Sequence, residues 1–294
     1  MASTRQLLSP KALAEAIGVG ESSVKRWADS GQIQITRTSG GHRRIQLKEA
    51  VRFIREAGLE VVKHAHLGLS TPSDSDLANS SSDQLLIDAL LKGDRERATQ
   101  LVEALYLDGW SVGAICDGPF SSALVQTGQL WKDNVEDGIL IEHRCTSITI
   151  SALEQLRLLS AQSTADAPLA MGGAISGDQS QLPSLMATTA LEAQGFRAVN
   201  LGGNTPAATF QAGIKAHSPT LVWISLNHTE NAELAQRSIH EITESSKERG
   251  IQVIVGGRGC AGLTIKAASN LFIASSMTDL ESFTKGMLSS LPGR

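Results

Sequence analysis

The first 60 positions carry two hydrophobic patterns, one helical and one alternating. The residues at helical spacing are Leu13, Ala14, Ile17 and Val24. Ser9 suits an N-cap and Pro10 is tolerated at a first helical position, which sets the start of a helix. Gly18 and Gly20 permit a tight turn before a second helix.

Between residues 32 and 47 apolar and polar residues alternate around a Ser-Gly-Gly break, which indicates a β-hairpin. Residues 1–60 therefore predict a winged helix-turn-helix.

A polar segment separates this head from a long helical region. Residues 61–84 are predicted to be a linker, because residues 70–84 are dense in Ser, Asp and Pro and poor in apolar side chains. Residues 85–165 then keep a helical hydrophobic period, with glycine-containing breaks between segments. This pattern predicts an antiparallel bundle of about four helices.

Residues 166–294 alternate between short apolar runs and amphipathic segments five times. The runs are apolar at nearly every position, as strands are when both faces of a parallel sheet are covered. The fourth helix of the alternation is assigned to "LTIKAAS", residues 263–269. The fold class is therefore multidomain α and α/β, ending in a flavodoxin-like, doubly wound parallel sheet.

The charge distribution separates the head from the rest of the chain. Residues 1–57 hold ten Lys or Arg and five Asp or Glu, a net charge of +5. Since the whole chain carries −4, the remainder carries −9. A basic module on an acidic body is typical of a protein whose head binds a polyanion.

Polar and basic side chains of the second helix and of the hairpin are the predicted DNA contacts. A recognition helix presents such side chains to the major groove, and cations on a wing suit phosphate contacts. The helix contributes Ser22, Ser23, Lys25 and Arg26, and the hairpin contributes Arg37, His42, Arg43 and Arg44. The inner aromatic residue of the second helix, Trp27, is assigned to the core.

The sequence "GGHRR" at residues 40–44 gives the head a closer identity. Residues 6–59 resemble the winged helix-turn-helix of the MerR family and related excisionase-like domains. The resemblance implies double-stranded operator DNA as a partner. It also implies oligomerisation, as a homodimer or homotetramer, through the rest of the chain.

Ligands of doubly wound sheets bind beyond the carboxyl ends of the strands. In this chain those ends are predicted at residues 177–183, 202–205, 225–229 and 256–262. The last loop contains G-x-G-x-x-G, but a dinucleotide fingerprint belongs after the first strand and this one follows the fourth. A dinucleotide is therefore not the expected ligand.

A helical bundle followed by such an α/β domain resembles the cobalamin-binding module of methionine synthase and of light-responsive CarH/LitR-type regulators. Those regulators also carry a MerR-type head. In the family the first loop reads D-x-H-x-x-G, and its histidine ligates cobalt. The matching residues are Asp178, Ser180 and Pro183, so only the aspartate is retained. A serine hydroxyl is a poor substitute for a neutral imidazole, and proline removes the freedom of glycine.

Other positions match the family's pocket by resemblance alone. Ser225 and Gly256-Gly257 follow the strands between which the nucleotide tail threads in the family. In the bundle, the family covers the upper face of the corrin with Trp, nine residues and Glu-His. Here ten residues separate Trp131 from Glu142 and His143. His228, at the end of the third strand, is a further pocket candidate, and the identity of any metal ligand stays unknown.

The predicted function is a DNA-binding transcriptional regulator whose sensor and oligomerisation module resembles cobalamin-dependent photoreceptors without their cobalt-ligating histidine. Three alternatives stay open for that module: adenosylcobalamin binding, another ligand, or a ligand-free scaffold. A regulator with an alternative axial ligand and a corrinoid carrier protein are the competing functions. No nucleophile–base pair, paired carboxylates or phosphate loop predicts an enzyme. No apolar run is long enough for a bilayer, so we expect a cytoplasmic protein without a membrane partner.

Overall fold

The computed structural model describes residues 7–69, 81–133, 136–160, 163–164 and 166–290. These residues form two compact units. The first contains the chain as far as Ser111 together with Gly118–Ser160. The second contains Val112–Asp117 and the chain beyond residue 160.

The first unit begins with the elements that the two amino-terminal patterns predict, and with one strand more. They are β1 (Leu7–Leu8), α1 (Pro10–Ala16), α2 (Glu21–Asp29), β2 (Thr36–Arg37), β3 (Arg43–Gln46) and α3 (Leu47–Glu56). The hydroxyl of Ser9 accepts the Ala12 N–H at 3.1 Å, which caps α1. β3 pairs antiparallel with both β1 and β2. The Trp27 and Phe53 rings lie 5.0 Å apart, so Trp27 packs against α3.

The start and the end of the predicted linker are structured. The backbone N–H groups of Val62 and Lys63 donate to the Ala16 carbonyl at 2.8 and 3.0 Å, and a 3₁₀ turn follows at His64–Leu67. Leu67 and Leu69 are buried, and this burial holds the segment against the head. Residues 70–80, the polar core of the predicted linker, lie outside the described residues. The next helix begins at Ser82, three residues before the predicted boundary at 85.

Long helices form the remainder of the first unit. In chain order the helices are α4 (Ser82–Lys92), α5 (Arg95–Leu107), α6 (Val112–Ile115), α7 (Ser121–Lys132) and α8 (Gly138–Ser160). Of these, α6 belongs to the second unit. In the second unit the Asp117 carboxylate accepts the N–H groups of Met277 and Thr278, and the Glu281 carboxylate accepts that of Gly113. These bonds fix Val112–Asp117 to the last helix of the chain.

The second unit contains the predicted parallel sheet. Its elements are β4 (Leu169–Ala174), α9 (Leu182–Ala193), β5 (Arg197–Asn200), α10 (Ala207–His217), β6 (Leu221–Ser225), α11 (Ala232–Lys247), β7 (Gln252–Gly256), β8 (Leu271–Ala274) and α12 (Met277–Ser289). The strand order β5-β4-β6-β7-β8 is that of flavodoxin-like sheets.

Helices cover both faces of this sheet. One face packs against α10 and α11 through a core that includes Met171, Phe210, Val222 and Ile239. Side chains alternate along each strand, so the neighbours of Met171 and Val222 point to the other face, which contacts α9. The predicted α/β layer structure is confirmed.

The helix expected at residues 263–269 is a wrong prediction. A 3₁₀ turn at Arg258–Cys260 follows β7, and the chain then runs without regular structure to β8. The reason is the period of the pattern. Leu263 and Ile265 pack on the core while Thr264 and Lys266 are exposed, which is the two-residue alternation of an extended segment.

Across the described part of the chain, every helix is too short or too polar to cross a bilayer.

Candidate functional site

The head exposes several of the predicted DNA contacts. Ser22, Lys25 and Arg26 are exposed on α2, while Ser23 beside them is half-buried. Lys25 pairs with Glu21 one turn earlier at 2.8 Å, so part of its charge is already neutralised. Arg26 has no acidic partner among the described residues.

The basic side chains of the hairpin have two different roles: some are exposed, and others contact the rest of the head. Arg37 and His42 are exposed and point away from the domain core. Arg43 instead pairs with Asp29 at 2.7 Å and donates to the Lys25 carbonyl at 3.3 Å, so it braces the hairpin against α2. The Arg44 side chain is half-buried over the Arg43 carbonyl. The structure therefore separates braced cations from exposed ones, a distinction that the sequence does not make.

The α7–α8 hairpin of the first unit carries large apolar side chains in water. Trp131, Ile139 and Leu140 are 58%, 54% and 62% exposed, and we call them the cap patch. Gly138 brings the two helices together, because a Cβ at this position would lie 2.9 Å from the Leu130 carbonyl oxygen. Clustered exposed apolar side chains of this size mark a binding surface more often than isolated ones do.

The two polar residues expected beside Trp131 lie one turn further along α8. Glu142 is half-buried and accepts the Thr146 hydroxyl at 3.0 Å. His143 is 74% exposed, with its Nε2 atom 3.5 Å from a Glu142 carboxylate oxygen. Both side chains therefore lie in the same helix as the cap patch, and the imidazole is accessible.

Asp178 connects three loops at the carboxyl end of the sheet in the second unit. Its side chain is fully buried and accepts the N–H groups of Ser180 at 2.9 Å and of Asn227 at 2.5 Å. Its carbonyl accepts the Asn204 N–H at 2.7 Å, and the Asn204 amide oxygen accepts the Gly177 N–H at 2.9 Å. The predicted ligand residue Asp178 therefore organises the loops after β4, β5 and β6. Its carboxylate already has backbone donors, which leaves it little freedom for a direct ligand contact.

The described residues of this edge do not fit a cobalt ion held by a protein imidazole. Ser180 is half-buried, and Pro183 fixes the first turn of α9 behind it. His228 is exposed in the loop after β6, and no hydrogen bond or ion pair with another described residue holds its ring. No group of three or more His, Cys, Asp or Glu within the described ranges is arranged to hold a metal ion.

The glycines after β7 are explained by packing. Gly257 has a φ of +115°, and a Cβ there would lie 2.3 Å from the Leu226 carbonyl oxygen. The Leu226 N–H donates to the Gly256 carbonyl, and the Gly259 N–H donates to the Leu226 carbonyl, both at 2.9 Å. The loop after β7 therefore crosses directly over the loop after β6. Gly257 is required for that crossing whether or not a ligand lies nearby, whereas a Cβ on Gly256 would approach the Ala274 carbonyl oxygen of β8, at 3.2 Å.

Two residues near this edge carry signals that the sequence interpretation missed. The amide nitrogen of Asn227 is buried without a hydrogen-bond partner among the described residues, an uncommon state for a buried polar group. Trp223 lies within β6, two positions before Ser225, and only 1% of its surface is exposed. The sequence signal that could have identified Trp223 is its size, because it is a bulky aromatic residue in a domain whose strands also carry the small residues Gly172, Ala174 and Ser225.

Comparisons with known proteins agree with this geometry. Residues 83–157, about a quarter of the chain, match the sequence model of a family described as B12 binding domain. The fold is similar to that of the monomethylamine corrinoid protein of Methanosarcina barkeri, with a TM-score of 0.52 and 16% identity over 70% of this chain and 100% of that chain.

Two other solved structures are more distant. The methanol:cobalamin methyltransferase complex MtaBC of Methanosarcina barkeri gives a TM-score of 0.37 and 14% identity, over 78% of this chain and 93% of that one. A cobalamin-binding protein of Desulfitobacterium hafniense gives 0.35 and 15%, over 70% and 98%. No curated protein matches the chain in sequence. The chain thus contains a domain similar to B12-binding domains and shares its fold with a corrinoid protein.

Proposed function

We propose that the chain binds a corrinoid through the cap patch of its helical hairpin. The observation that carries this proposal is the exposure of Trp131, Ile139 and Leu140 within the segment that matches the B12 binding domain family. A corrin ring is broad and largely apolar on its faces, and an exposed indole beside two aliphatic side chains suits such a surface. The fold shared with a corrinoid protein supports the same conclusion.

Retention of cobalamin by the full chain tests the proposal. Protein mixed with adenosylcobalamin in darkness is passed through gel filtration, and the visible absorbance of the protein peak is recorded. We expect the peak to carry cobalamin, and W131A to weaken binding at least about tenfold because the ring loses its largest apolar contact. V125A is the matched control, since Val125 is also more than half exposed on α7 but lies away from the hairpin tip. Equal effects of the two substitutions, or a colourless protein peak, would remove the cap patch from this role.

We propose further that the head binds double-stranded DNA, which makes the chain a corrinoid-responsive regulator. The support is the +5 charge of residues 1–57 and the exposure of Arg26 on α2 and Arg37 on β2. The order of helix, turn, helix and hairpin fits a winged helix-turn-helix of the MerR type. The competing function is a corrinoid carrier, for which the head has no need of specific DNA affinity.

A mobility-shift titration separates the regulator from the carrier. The double variant R26A/R37A should weaken binding to DNA upstream of the protein's own reading frame and lower the salt slope by about two units, because two phosphate-directed charges are removed. K11A/K63A removes the same charge from two exposed positions outside α2 and the hairpin and serves as the control. Absence of a sequence-specific complex, with and without cobalamin, would favour the carrier.

A further inference from the structure

Trp223 occupies the space between the sheet and α9. It pairs with Gly172 in the register of β6 and β4, so its indole lies over the strand at that glycine. A Cβ at position 172 would lie 2.3 Å from the Cδ2 atom of Trp223. The same Cβ would lie 2.1 Å from the Trp223 carbonyl oxygen, so both the backbone and the indole of Trp223 take the volume that a side chain at position 172 would fill.

A chain of hydrogen bonds holds the indole in this position. Its Nε1–H donates to the Ser184 hydroxyl of α9 at 3.1 Å, and that hydroxyl donates to the Asn200 amide oxygen at 2.9 Å. Ser184 has one hydroxyl hydrogen, so the direction of both bonds is determined. The buried polar atom of the indole is satisfied, and moving the ring away from Ser184 would leave the indole N–H unpaired.

Above the indole, towards the carboxyl end of the strands, the α9-facing side chains are small. Ala174, Ser225 and Gly256 are adjacent in the register of three neighbouring strands. Ser225 follows Trp223 by two residues on the same face, a rise of about 7 Å. Ala174 is fully buried and Ser225 is 6% exposed, so these small side chains are themselves covered and Trp223 fills the space below them. A benzimidazole nucleotide, with its bicyclic base, ribose and phosphate, has no room on this filled face of the sheet.

We infer that this protein takes the corrin ring while the nucleotide tail of the cofactor stays outside the fold. The inference rests on the proposed corrinoid function. Position 180 is a serine, so it supplies no imidazole that would displace the cofactor's own base from the metal. Both features of the chain, the filled space and the absent ligand, are consistent with a cofactor whose own base remains on the metal.

Comparison of two corrinoids with the unmodified full chain tests the inference. Cobalamin carries the nucleotide tail and cobinamide lacks it, so a protein that ignores the tail should bind them with dissociation constants within about threefold. Cob(II)alamin on the protein should keep the nitrogen superhyperfine splitting of its own base in the electron paramagnetic resonance spectrum. A preference for cobalamin above about tenfold, together with loss of that splitting, would overturn the inference.

Removal of the indole provides a second arm. W223A empties the space beside Gly172 and should create a preference for cobalamin over cobinamide, with loss of the splitting in the fraction whose tail enters. W223F keeps an aromatic ring in that space and removes only the bond to Ser184, so it should behave as the unmodified chain. Far-ultraviolet circular dichroism of both variants checks the fold. Should W223A be unfolded, the comparison in the unmodified chain still decides the matter.

The outcomes distinguish the inference from the proposed function. Binding of cobalamin with its base displaced would contradict the inference and leave the corrinoid function intact. Failure of both corrinoids to bind the unmodified chain and W223A would contradict the function, and the inference with it.

Discussion

Arg55 of α3 lies over the ring of Tyr106 in α5, with its guanidinium carbon 3.8 Å from the ring centroid. The same guanidinium donates to the carbonyl oxygens of Tyr106 and, at 3.1 Å, of Trp110. Nearby, the His64 ring nitrogen lies 3.0 Å from the Asp108 carboxylate. These contacts attach the amino-terminal head to the helices of the first unit, so Arg55 couples two segments that the sequence treats as separate domains.

Removal of this attachment should lower the stability of the first unit. We expect R55A to reduce the free energy of unfolding by about 2–4 kcal/mol, since a cation–π contact and charge-assisted hydrogen bonds are lost together. R55K should recover only part of the loss, because an ammonium group lacks the planar fork of arginine. Urea unfolding followed by circular dichroism measures both. R26A, an exposed arginine of the same head, is the control and should change stability by less than about 0.5 kcal/mol. Equal losses for R55A and R26A would contradict the account of Arg55.

Glu103 in α5 should make stability depend on pH. Its side chain is 4% exposed, and burial raises the pKa of its carboxyl to about 7. The folded state therefore keeps the proton at pH values where the unfolded chain has released it. The contribution of Glu103 to stability is complete below the pKa of about 4.5 in the unfolded chain and is lost as pH rises through 7.

The matched variant E103Q should remove that dependence. Glutamine cannot ionise, so E103Q should be more stable than the unmodified protein at pH 8 by about 2–3 kcal/mol, with the difference shrinking towards pH 4.5. Urea titrations at several pH values between these limits supply the test. A constant difference across the range would show that Glu103 does not titrate in this way.

The loop crossing at Gly257 provides a test of the sheet edge. Substitution by alanine adds a Cβ that would lie 2.3 Å from the Leu226 carbonyl oxygen, in a residue with a φ of +115°. Gly262 has a φ of +87°, but its added Cβ would meet nothing within 4 Å. We expect G262A to cost about 1 kcal/mol from backbone strain, and G257A to cost about 3 kcal/mol or more because the loops must also separate. Thermal unfolding compares the two, and similar costs would refute the crossing as the cause.

The full chain should form a dimer or a tetramer. A regulator of the proposed kind reads a two-fold symmetric operator, which requires at least two heads. Val199 on β5 and Ile273 on β8, the two edge strands of the sheet, are 45% and 51% exposed. Light scattering at micromolar concentration measures the mass, and a monomer both alone and on DNA would be evidence against symmetric operator binding.

Much of the fold follows from local pattern, and the exceptions have local causes. The strands of the α/β domain were predictable because runs such as "TLVWISL" are apolar throughout, as buried parallel strands are. The prediction of a helix at residues 263–269 was wrong because Leu263 and Ile265 are two positions apart, a spacing that fits an extended segment.

The candidate site was less accessible to sequence reasoning, because its contacts join distant residues. Asp178 was found from its position in a loop, but its bond to the Asn227 N–H spans 49 residues and appears only in the folded chain. In the sequence Trp223 looks like any other apolar strand residue, because its role depends on contacts with Gly172 and Ser184 in two other elements. In the sequence Arg55 and Arg43 contribute only to the positive charge of the head, although their carbonyl and carboxylate partners in the structure give both a structural role.

Hydrogen–deuterium exchange of the full chain, with and without saturating cobalamin, tests the central claim most directly. A ring bound at the cap patch should slow exchange in peptides that cover residues 128–142, at the tip of the α7–α8 hairpin, because the backbone there becomes more ordered and less accessible to water. Exchange in residues 85–92 of α4, away from that tip in sequence, should stay unchanged. Slowed exchange confined to residues 128–142 is the predicted result. Cobalamin that binds the chain without altering exchange in those residues would contradict the account.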